Sequence, residues 1–207
     1  MKIICTTPLE HLIGLKSQLK KHGELIYKPN IDSKNLKKNL VKYKINAIFC
    51  NPNRQGYMLN KDILEGTYVK IINTASTGTN HIELEDCKKL GISIYSLKND
   101  HKILKKLPST SELAFGLMIN LLRNINASFQ SAKKYQWDYL PYIGREIKSL
   151  SIGIIGYGRL GKIMAKYAHS FGMSIIIYDP FVIQKKFKQA SLQLICKKAD
   201  VISLHIH

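Results

Sequence analysis

The sequence predicts an α/β protein in which parallel strands carry helices on their faces. Short apolar segments alternate with longer amphipathic segments along most of the 207 residues, and this alternation is typical of repeated strand–helix–strand units. A hydrophobic fraction of 45% is sufficient for a sizeable core. The third observation that favours this class is a glycine-rich turn at residues 156–161, between a predicted strand and a predicted helix.

The first 98 residues are predicted to form one domain, and residues 99–207 a second. In the first domain, strands are expected at 2–6, 25–27, 45–50, 69–74 and 92–95, and helices at 9–21, 33–42 and 82–90. Because each short apolar strand is followed by a helix, we expect a parallel sheet that is covered on both faces.

The second domain is predicted to begin with a long apolar helix over 110–124. Ser109 stands three residues before Glu112, which is the spacing of a capping box. Apolar residues lie on nearly every side of this helix, so we expect it to pack against more than one partner, either between domains or between subunits.

The glycine-rich turn carries the strongest functional signal. A strand at 151–155 leads directly into GYGRLG, and a helix is expected at 162–171. In a dinucleotide-binding unit of this type, Gly156 permits the tight turn, Gly158 lets the backbone approach a pyrophosphate, and Gly161 allows close helix–strand packing. The N-terminus of the helix would offer N–H groups and a positive dipole end to the phosphates.

The next predicted strand, at 173–178, ends in an acid that indicates the cofactor. Asp179 lies 18 residues beyond Gly161, where a carboxylate can accept the hydrogens of both ribose hydroxyls and repel a 2′-phosphate. We therefore expect NAD rather than NADP. The alternative is a structural glycine turn, with Asp179 merely ending a strand.

Several segments together resemble the D-isomer-specific 2-hydroxyacid dehydrogenases, the family that includes phosphoglycerate and glycerate dehydrogenases. SIGIIGYGRLGK…FGMSIIIYDP resembles the family's nucleotide signature, INTASTGTNHIELEDCKKLGISIYS its substrate loop, and STSELAFGLMINLLRNI its interdomain helix. Trp137-Asp138 is similar to the family's usual Trp before the nucleotide-binding strand. The resemblance covers most of residues 69–207 and implies a flavodoxin-like substrate domain followed by the first half of a Rossmann NAD-binding domain.

The resemblance also implies the site residues. The backbone N–H groups of Ser76, Thr77 and Gly78 would hold the substrate carboxylate, and an ordinary strand-to-helix turn is the alternative. The cofactor-binding positions would be Thr110, Gly156, Tyr157, Gly158, Arg159, Leu160, Gly161, Asp179 and His205. For Thr110 the alternative is a plain residue at the start of a helix.

A third strand of the nucleotide-binding unit is expected at 200–205. In the family, a His followed by x-Pro closes this strand beside the cofactor, and here His207 stands in place of that Pro. His205 and His207 would share one face of the strand, but without a third ligand we expect no metal site.

The activity implied by the resemblance is hydride transfer between C2 of a D-2-hydroxy acid and the nicotinamide of NAD, by an oxidoreductase that acts on the CH–OH group. The family's catalytic Arg, Glu and His lie downstream of the strand at 200–205. We therefore expect no catalytic residue in this chain, an incomplete NAD-binding domain, and a fragment that is inactive alone and marginally stable or prone to aggregate. The alternative is a non-catalytic NAD(H)-binding sensor or assembly module, which the catalytic residues of the full-length gene product would discriminate.

Composition narrows the partners and the compartment. The net charge of +18 suggests a nucleic-acid partner, but only four of the 32 basic residues are Arg and the lysines are scattered, so we expect none. A small anionic 2-hydroxy or 2-oxo acid is the expected partner, and the resemblance implies a homodimer. With no apolar run near the ~20 residues that span a bilayer, no signal peptide before Pro8, and four widely spaced cysteines that we interpret as reduced and mostly buried, we expect a cytoplasmic protein.

Overall fold

A computed structural model describes residues 1–52 and 55–206. Contacts between Cα atoms divide the chain into two compact units, Met1–Leu104 and Lys105–His207. The division falls after Leu104, whereas the expected first domain ends at residue 98. Each unit has its own parallel sheet and its own hydrophobic core.

A five-stranded sheet forms the first unit. Its strands are β1 (Lys2–Cys5), β2 (Glu24–Tyr27), β3 (Ala47–Cys50), β4 (Ile71–Thr74) and β5 (Ser93–Tyr95). They lie in the order β2-β1-β3-β4-β5, and every neighbouring pair is parallel. This is the flavodoxin-like order of a doubly wound sheet, so the predicted fold class is confirmed for this unit.

The helices of the first unit are α1 (Leu15–His22), α2 (Ser33–Lys42), α3 (Lys61–Leu64), α4 (Leu84–Lys89) and α5 (His101–Leu104), with a 3₁₀ turn at Leu97–Asn99. The bounds of α2 agree with the predicted helix, and the Asp32 carboxylate caps it by accepting the N–H of Asn35 at 2.8 Å. The short helices α3 and α5 were not predicted, because four residues are too few to show a helical period of apolar residues.

The predicted helix at 9–21 is wrong over its first half. The chain forms turns from Leu9 to Gly14, and α1 begins only at Leu15. Gly14 has a φ of +83°, which is the left-handed region and cannot continue a right-handed helix.

Isoleucines in register form the centre of the first core. Ile4 pairs with Ile48, and Ile48 with Ile72, so three adjacent strands present Ile side by side. All three are at most 1% exposed, and Leu36 and Leu40 of α2 belong to the same buried cluster. Burial of each such side chain contributes about 1.5–3 kcal/mol, and this packing fixes the strand ends that carry the loops.

The second unit contains a four-stranded parallel sheet. Its strands are β6 (Ser151–Ile155), β7 (Ser174–Tyr178), β8 (Lys188–Gln189) and β9 (Val201–Leu204), in the order β8-β7-β6-β9. Thus β6, whose bounds agree with the prediction, lies between β7 and β9. Ile202 and Leu204 of β9 are exposed, as is Ile206, which follows the strand.

The helices of the second unit are α6 (Ser109–Leu122), α7 (Ile125–Lys133), α8 (Arg159–Ser170) and α9 (Leu192–Lys198), with 3₁₀ turns at Leu140–Tyr142 and Ile147–Ser149. The inner side of α8, with Met164, Ala165 and Ala168, packs on Ile152 and Ile154 of β6. Sequence patterns did not indicate α7 and α9. None of the described helices combines the length and apolar character that a bilayer crossing requires.

The predicted capping box at the start of α6 is wrong. Pro108 occupies the N-cap position without a side-chain hydrogen bond, and Ser109 is already the first helical residue. The N–H groups of Ser111 and Glu112 instead donate to the carbonyl oxygen of Pro108. At the other end the helix stops at Leu122. Asn124, two residues later, has a φ of 51°, in the left-handed region, and the chain changes direction there.

The apolar residues of α6 fall on two faces. Phe115 and Met118 are buried in the core of the second unit. Leu113, Leu117 and Leu121, four residues apart, are 66%, 53% and 76% exposed. The helix therefore has an apolar stripe, as expected from its composition, that no described residue covers fully.

Asp200 links the segment before β9 to the start of β6. Its Oδ2 accepts the N–H of Ser151 at 2.9 Å and the Ser151 hydroxyl at 2.7 Å, while Oδ1 accepts Nη2 of Arg145 at 2.6 Å. These bonds, led by the one from the Ser151 N–H, hold the pKa of Asp200 well below its ordinary value of 3.8. The ionised carboxylate therefore stabilises the folded state.

Replacing Asp200 should remove part of the protein's pH-dependent stability. Because its pKa is lower in the folded state, its stabilisation is complete above its unfolded-state pKa, near 3.8, and is lost as the pH falls through the folded value. Asp200→Asn should melt a few degrees below the unmodified chain at pH 7, and the gap should narrow in acid. Thermal melts between pH 7 and pH 2 measure this. Glu146→Gln, at an exposed position, is the control, and equal melting of Asp200→Asn at pH 7 would contradict the assignment.

Candidate functional site

The glycine-rich turn connects β6 to α8 at the carboxyl end of the sheet. Gly156 has a φ of +90°, a conformation that favours glycine. Gly158 is the N-cap of α8, which begins at Arg159 rather than at residue 162 as predicted. Leu160 and Gly161 therefore lie in the first helical turn, where N–H groups have no partner within the helix.

The three glycines differ in what an added methyl group would meet. At Gly161 it would overlap the carbonyl oxygen of Gly156, and at Gly156 it would collide with the carbonyl oxygen of His205. At Gly158 no atom lies within 4 Å. Two glycines are thus required by packing inside the unit, whereas the third borders open space of the kind that a pyrophosphate would approach.

A matched pair of alanine variants separates these roles. Gly161→Ala should destabilise the chain by about 1–3 kcal/mol, because a backbone carbonyl must move. Gly158→Ala should leave the melting temperature nearly unchanged but weaken NADH binding roughly tenfold, since its methyl group occupies the approach of the pyrophosphate. Thermal melts and NADH fluorescence titrations measure the two effects. Undiminished NADH binding by Gly158→Ala would count against the turn as a phosphate site.

Asp179 holds the turn as well as ending β7. Its Oδ2 accepts the N–H of Tyr157 at 2.6 Å, and Oδ1 accepts the N–H groups of Phe181 and Val182 at 2.8 and 3.0 Å. These bonds, that of Tyr157 first, lower the pKa of Asp179. With about two acceptor positions per oxygen, Oδ1 is saturated and Oδ2 keeps one for a ribose hydroxyl.

Asp179→Ala should therefore have two effects. Loss of the acceptor and of the negative charge should weaken NADH binding by about tenfold and reduce the preference for NADH over NADPH. Loss of the bond to Tyr157 should also lower the melting temperature. Fluorescence titrations with both nucleotides check the first effect, and Glu146→Gln again serves as the control. Unchanged binding of both nucleotides would remove Asp179 from the site.

The start of α8 is fixed to the start of α6. The guanidinium of Arg159 donates through Nη1 to the carbonyl oxygen of Leu107. The hydroxyl of the fully buried Ser111 donates to the carbonyl oxygen of Leu160 at 3.0 Å. Thr110 is exposed at the same end of α6, and its role as a cofactor-binding residue stays a prediction.

Tyr157 and His205 complete the surroundings of the turn. The side chain of Tyr157 is 7% exposed and belongs to the core, and its N–H donates to Asp179, so neither group is free for a ligand. The N–H of His205 donates to the carbonyl oxygen of Ile155 at 2.8 Å, and its Nε2 lies 2.9 Å from Oγ of Ser203. Burial lowers the pKa of His205, which favours a neutral ring beside the turn.

A metal site finds no support among the described residues, where no group of three His, Cys, Asp or Glu side chains is suitably placed. His207 lies outside the described residues.

The predicted carboxylate loop lies in the first unit, directly after β4. Ser76, Thr77 and Gly78 are half-buried. Among the described residues, no protein acceptor takes their backbone N–H groups. Three consecutive free N–H groups at the carboxyl end of a parallel strand can bind an anion.

This loop borders a cavity of about 330 Å³. The cavity is lined by Pro52, Gly56, Tyr57, Met58, Ser76, Gly78, Asn80 and His81. A cavity of this size accommodates a small organic acid, and its wall contains Ser76 and Gly78 of the loop together with the apolar residues Pro52 and Met58.

Sequence reasoning missed two polar residues behind the loop. Oγ1 of Thr74 lies 2.8 Å from Oγ of Ser76 and 3.0 Å from Nε2 of His81. Both Thr74 and His81 are buried, at 1% and 8% exposure. A His inside an otherwise apolar and hydroxyl-rich segment was the signal that could have drawn attention to them.

The glycine turn and the acid at the end of the next strand have the arrangement of a dinucleotide-binding unit, and the anion loop lies in a separate α/β unit. The sequence models of one family match both units. Residues 5–103 match the catalytic domain of the D-isomer specific 2-hydroxyacid dehydrogenases, and residues 115–207 match their NAD binding domain. The chain belongs to this family, as the resemblance indicated, and NAD is confirmed as its cofactor.

Curated relatives agree with this assignment. The chain is 32% identical over 160 residues to D-3-phosphoglycerate dehydrogenase of Methanocaldococcus jannaschii, an alignment covering 74% of the chain and 30% of that protein. It is 33% identical over 156 residues to hydroxypyruvate reductase of Thermotoga maritima, covering 74% of the chain and 49% of that protein. The chain therefore spans less than half the length of these relatives.

Solved structures share the fold. NAD-dependent formate dehydrogenase from Staphylococcus aureus, solved in complex with NAD, matches with a TM-score of 0.82 at 24% identity, over 100% of the chain and 65% of that structure. D-lactate dehydrogenase from Aquifex aeolicus, solved with NAD and lactic acid, matches with a TM-score of 0.75 at 24% identity, over 100% of the chain and 60% of that structure.

Proposed function

We propose that the chain forms part of an NAD-dependent oxidoreductase that acts on the CH–OH group of a D-2-hydroxy acid. The observation that carries this proposal is the loop Ser76–Thr77–Gly78, which lies beside a cavity of about 330 Å³ and whose N–H groups have no protein acceptor within residues 1–52 and 55–206. An anionic acid and a dinucleotide are the two ligands that a hydroxyacid dehydrogenase must hold, and we assign the first to this loop and the second to the glycine-rich turn.

In this proposal the described residues bind and orient ligands. The N–H groups of the loop hold the substrate carboxylate, Gly158 and the start of α8 receive the pyrophosphate, and Asp179 accepts a ribose hydroxyl. Bound NAD supplies the nicotinamide ring that exchanges a hydride with C2 of the acid. The buried glycine packing keeps the turn rigid, so little ordering is required when the dinucleotide binds.

We assign the proton transfer to no residue of this chain. The Arg, Glu and His that the resemblance implies are proposed to lie beyond His207 in the gene product, which the short span of the alignments supports. On this proposal the chain alone binds both ligands but does not turn them over.

A second copy of the chain is the proposed partner for the exposed stripe of α6. Leu113, Leu117 and Leu121 form a continuous apolar face on one side of this helix, as expected for a helix at a subunit interface. The cytoplasm is the proposed compartment, and the free thiols of Cys5, Cys50, Cys87 and Cys196 agree with a reducing environment.

The loop assignment predicts selective binding of a carboxylate. Addition of D-lactate to the ¹⁵N-labelled chain should shift the amide signals of Ser76, Thr77 and Gly78, because these N–H groups gain an anionic acceptor. D-lactamide has nearly the same shape without the charge and is the matched control, which should bind at least about tenfold more weakly. Equal shifts with both compounds, or shifts confined to other residues, would refute the carboxylate site.

A further inference from the structure

We propose that His81 is a positioning residue for this loop: it orients the Gly78 peptide group through an ordered chain of hydrogen bonds formed by Thr74 and Ser76. The inference rests on the proposed carboxylate-binding function of the loop and identifies what holds the loop in its binding conformation.

The direction of each of these hydrogen bonds follows from the last acceptor in the series, the carbonyl oxygen of Gly78. The carbonyl oxygen of Gly78 can only accept, so the Ser76 hydroxyl donates to it, at 2.7 Å. Ser76 has no second hydrogen, so Thr74 must donate to Ser76, at 2.8 Å. Thr74 then has no hydrogen left, so Nε2 of His81 must donate to Thr74, at 3.0 Å.

This order fixes one tautomer of His81. Nε2 carries the hydrogen, and Nδ1 keeps a lone pair. Nδ1 is buried without a hydrogen-bond partner among the described residues. A proton on Nδ1 would place a positive charge and an unpaired donor in the core, and burial accordingly lowers the pKa of His81.

The other titratable neighbours leave the ring neutral as well. Sγ of Cys50 lies 3.8 Å from Nε2 of His81, and burial raises the pKa of this thiol to about 12. Burial also raises the pKa of Tyr57, in the same cavity wall, to about 12. Because the described residues place no ionised carboxylate against the ring, His81 acts as a hydrogen-bond donor and not as a charge.

The last hydrogen bond of this series, from Ser76 to the Gly78 carbonyl oxygen, determines which groups the loop can offer to an anion. The Ser76 hydroxyl holds the Gly78 carbonyl oxygen and so keeps this negative dipole end from turning toward a carboxylate. Because the peptide bond is planar and trans, the N–H of Thr79 must point away from that hydroxyl. One buried imidazole thereby sets the orientation of a peptide group several bonds away.

The main chain of His81 strengthens this role. Its carbonyl oxygen accepts the N–H of Leu59 at 2.9 Å, and Leu59 pairs with Ile82 in an isolated parallel bridge. His81 therefore connects the segment that contains Tyr57 and Met58 to the end of β4. Both segments line the cavity, so the residue aligns two of its walls.

The first test is spectroscopic and uses the 207-residue chain. The ¹⁵N shifts of a protonated and an unprotonated ring nitrogen are well separated, so the tautomer of His81 can be assigned directly. We expect hydrogen on Nε2 alone at pH 7. Hydrogen on Nδ1, or a doubly protonated ring at pH 7, would overturn the proposal.

The second test compares D-lactate binding among variants. His81→Leu removes the donor and should weaken binding about tenfold, whereas His81→Gln offers an amide N–H at a similar distance and should stay within about threefold of the unmodified chain. Thr74→Val has nearly the same volume and interrupts the chain at its centre, so it should weaken binding as His81→Leu does. This variant keeps the test decisive if His81→Leu does not fold.

Controls separate this proposal from the function on which it rests. NADH binding, which involves the second unit, should be unchanged in all three variants, and exposed His22→Leu should leave D-lactate binding intact. If the unmodified chain binds D-lactate and His81→Leu and Thr74→Val bind it equally well, the positioning role is overturned and the carboxylate loop stands. If the unmodified chain does not bind D-lactate, the proposed function fails, and the positioning role fails with it.

Discussion

The close approach of α8 to the end of β6 is the constraint on which the nucleotide-binding unit depends. Gly161 lies so near the Gly156 carbonyl that no side chain fits between them. This contact brings the first turn of the helix, with its unpaired N–H groups, against the carboxyl edge of the sheet. Asp179 then secures the turn from the neighbouring strand through the Tyr157 N–H. The residues that pack the turn are thus the same few to which we assign recognition of the cofactor.

The same principle operates in the first unit with different chemistry. There the loop follows β4 without a glycine-rich entry, and side-chain hydrogen bonds take the place of close packing. Thr74, at the last position of β4, belongs to the series of side-chain hydrogen bonds that ends on the Gly78 carbonyl oxygen. In both units buried groups hold the loop in place, and main-chain N–H groups of the loop stay available to a ligand.

Much of this arrangement could be predicted from the sequence. Apolar periodicity and residue spacing predicted the bounds of α2 and β6, the parallel direction of the strands and the glycine turn. These features depend on local sequence pattern. The start of α1, the cap of α6 and the helices α7 and α9 were not predicted. Gly14 and Pro108 take conformations that only the folded chain selects. His81 was missed because its role depends on β4, the following loop and Leu59 together, which no local pattern reveals.

The position of the ligand loops within each sheet has a consequence for their dynamics. The strands β4 and β6 each pair with a neighbour on both sides. Fraying is expected to begin at the outer strands β2, β5 and β8, where fewer backbone hydrogen bonds must break. Transient opening of an edge therefore leaves the anchor of either loop intact, so the ligand-binding geometry outlasts local unfolding of the sheet around it.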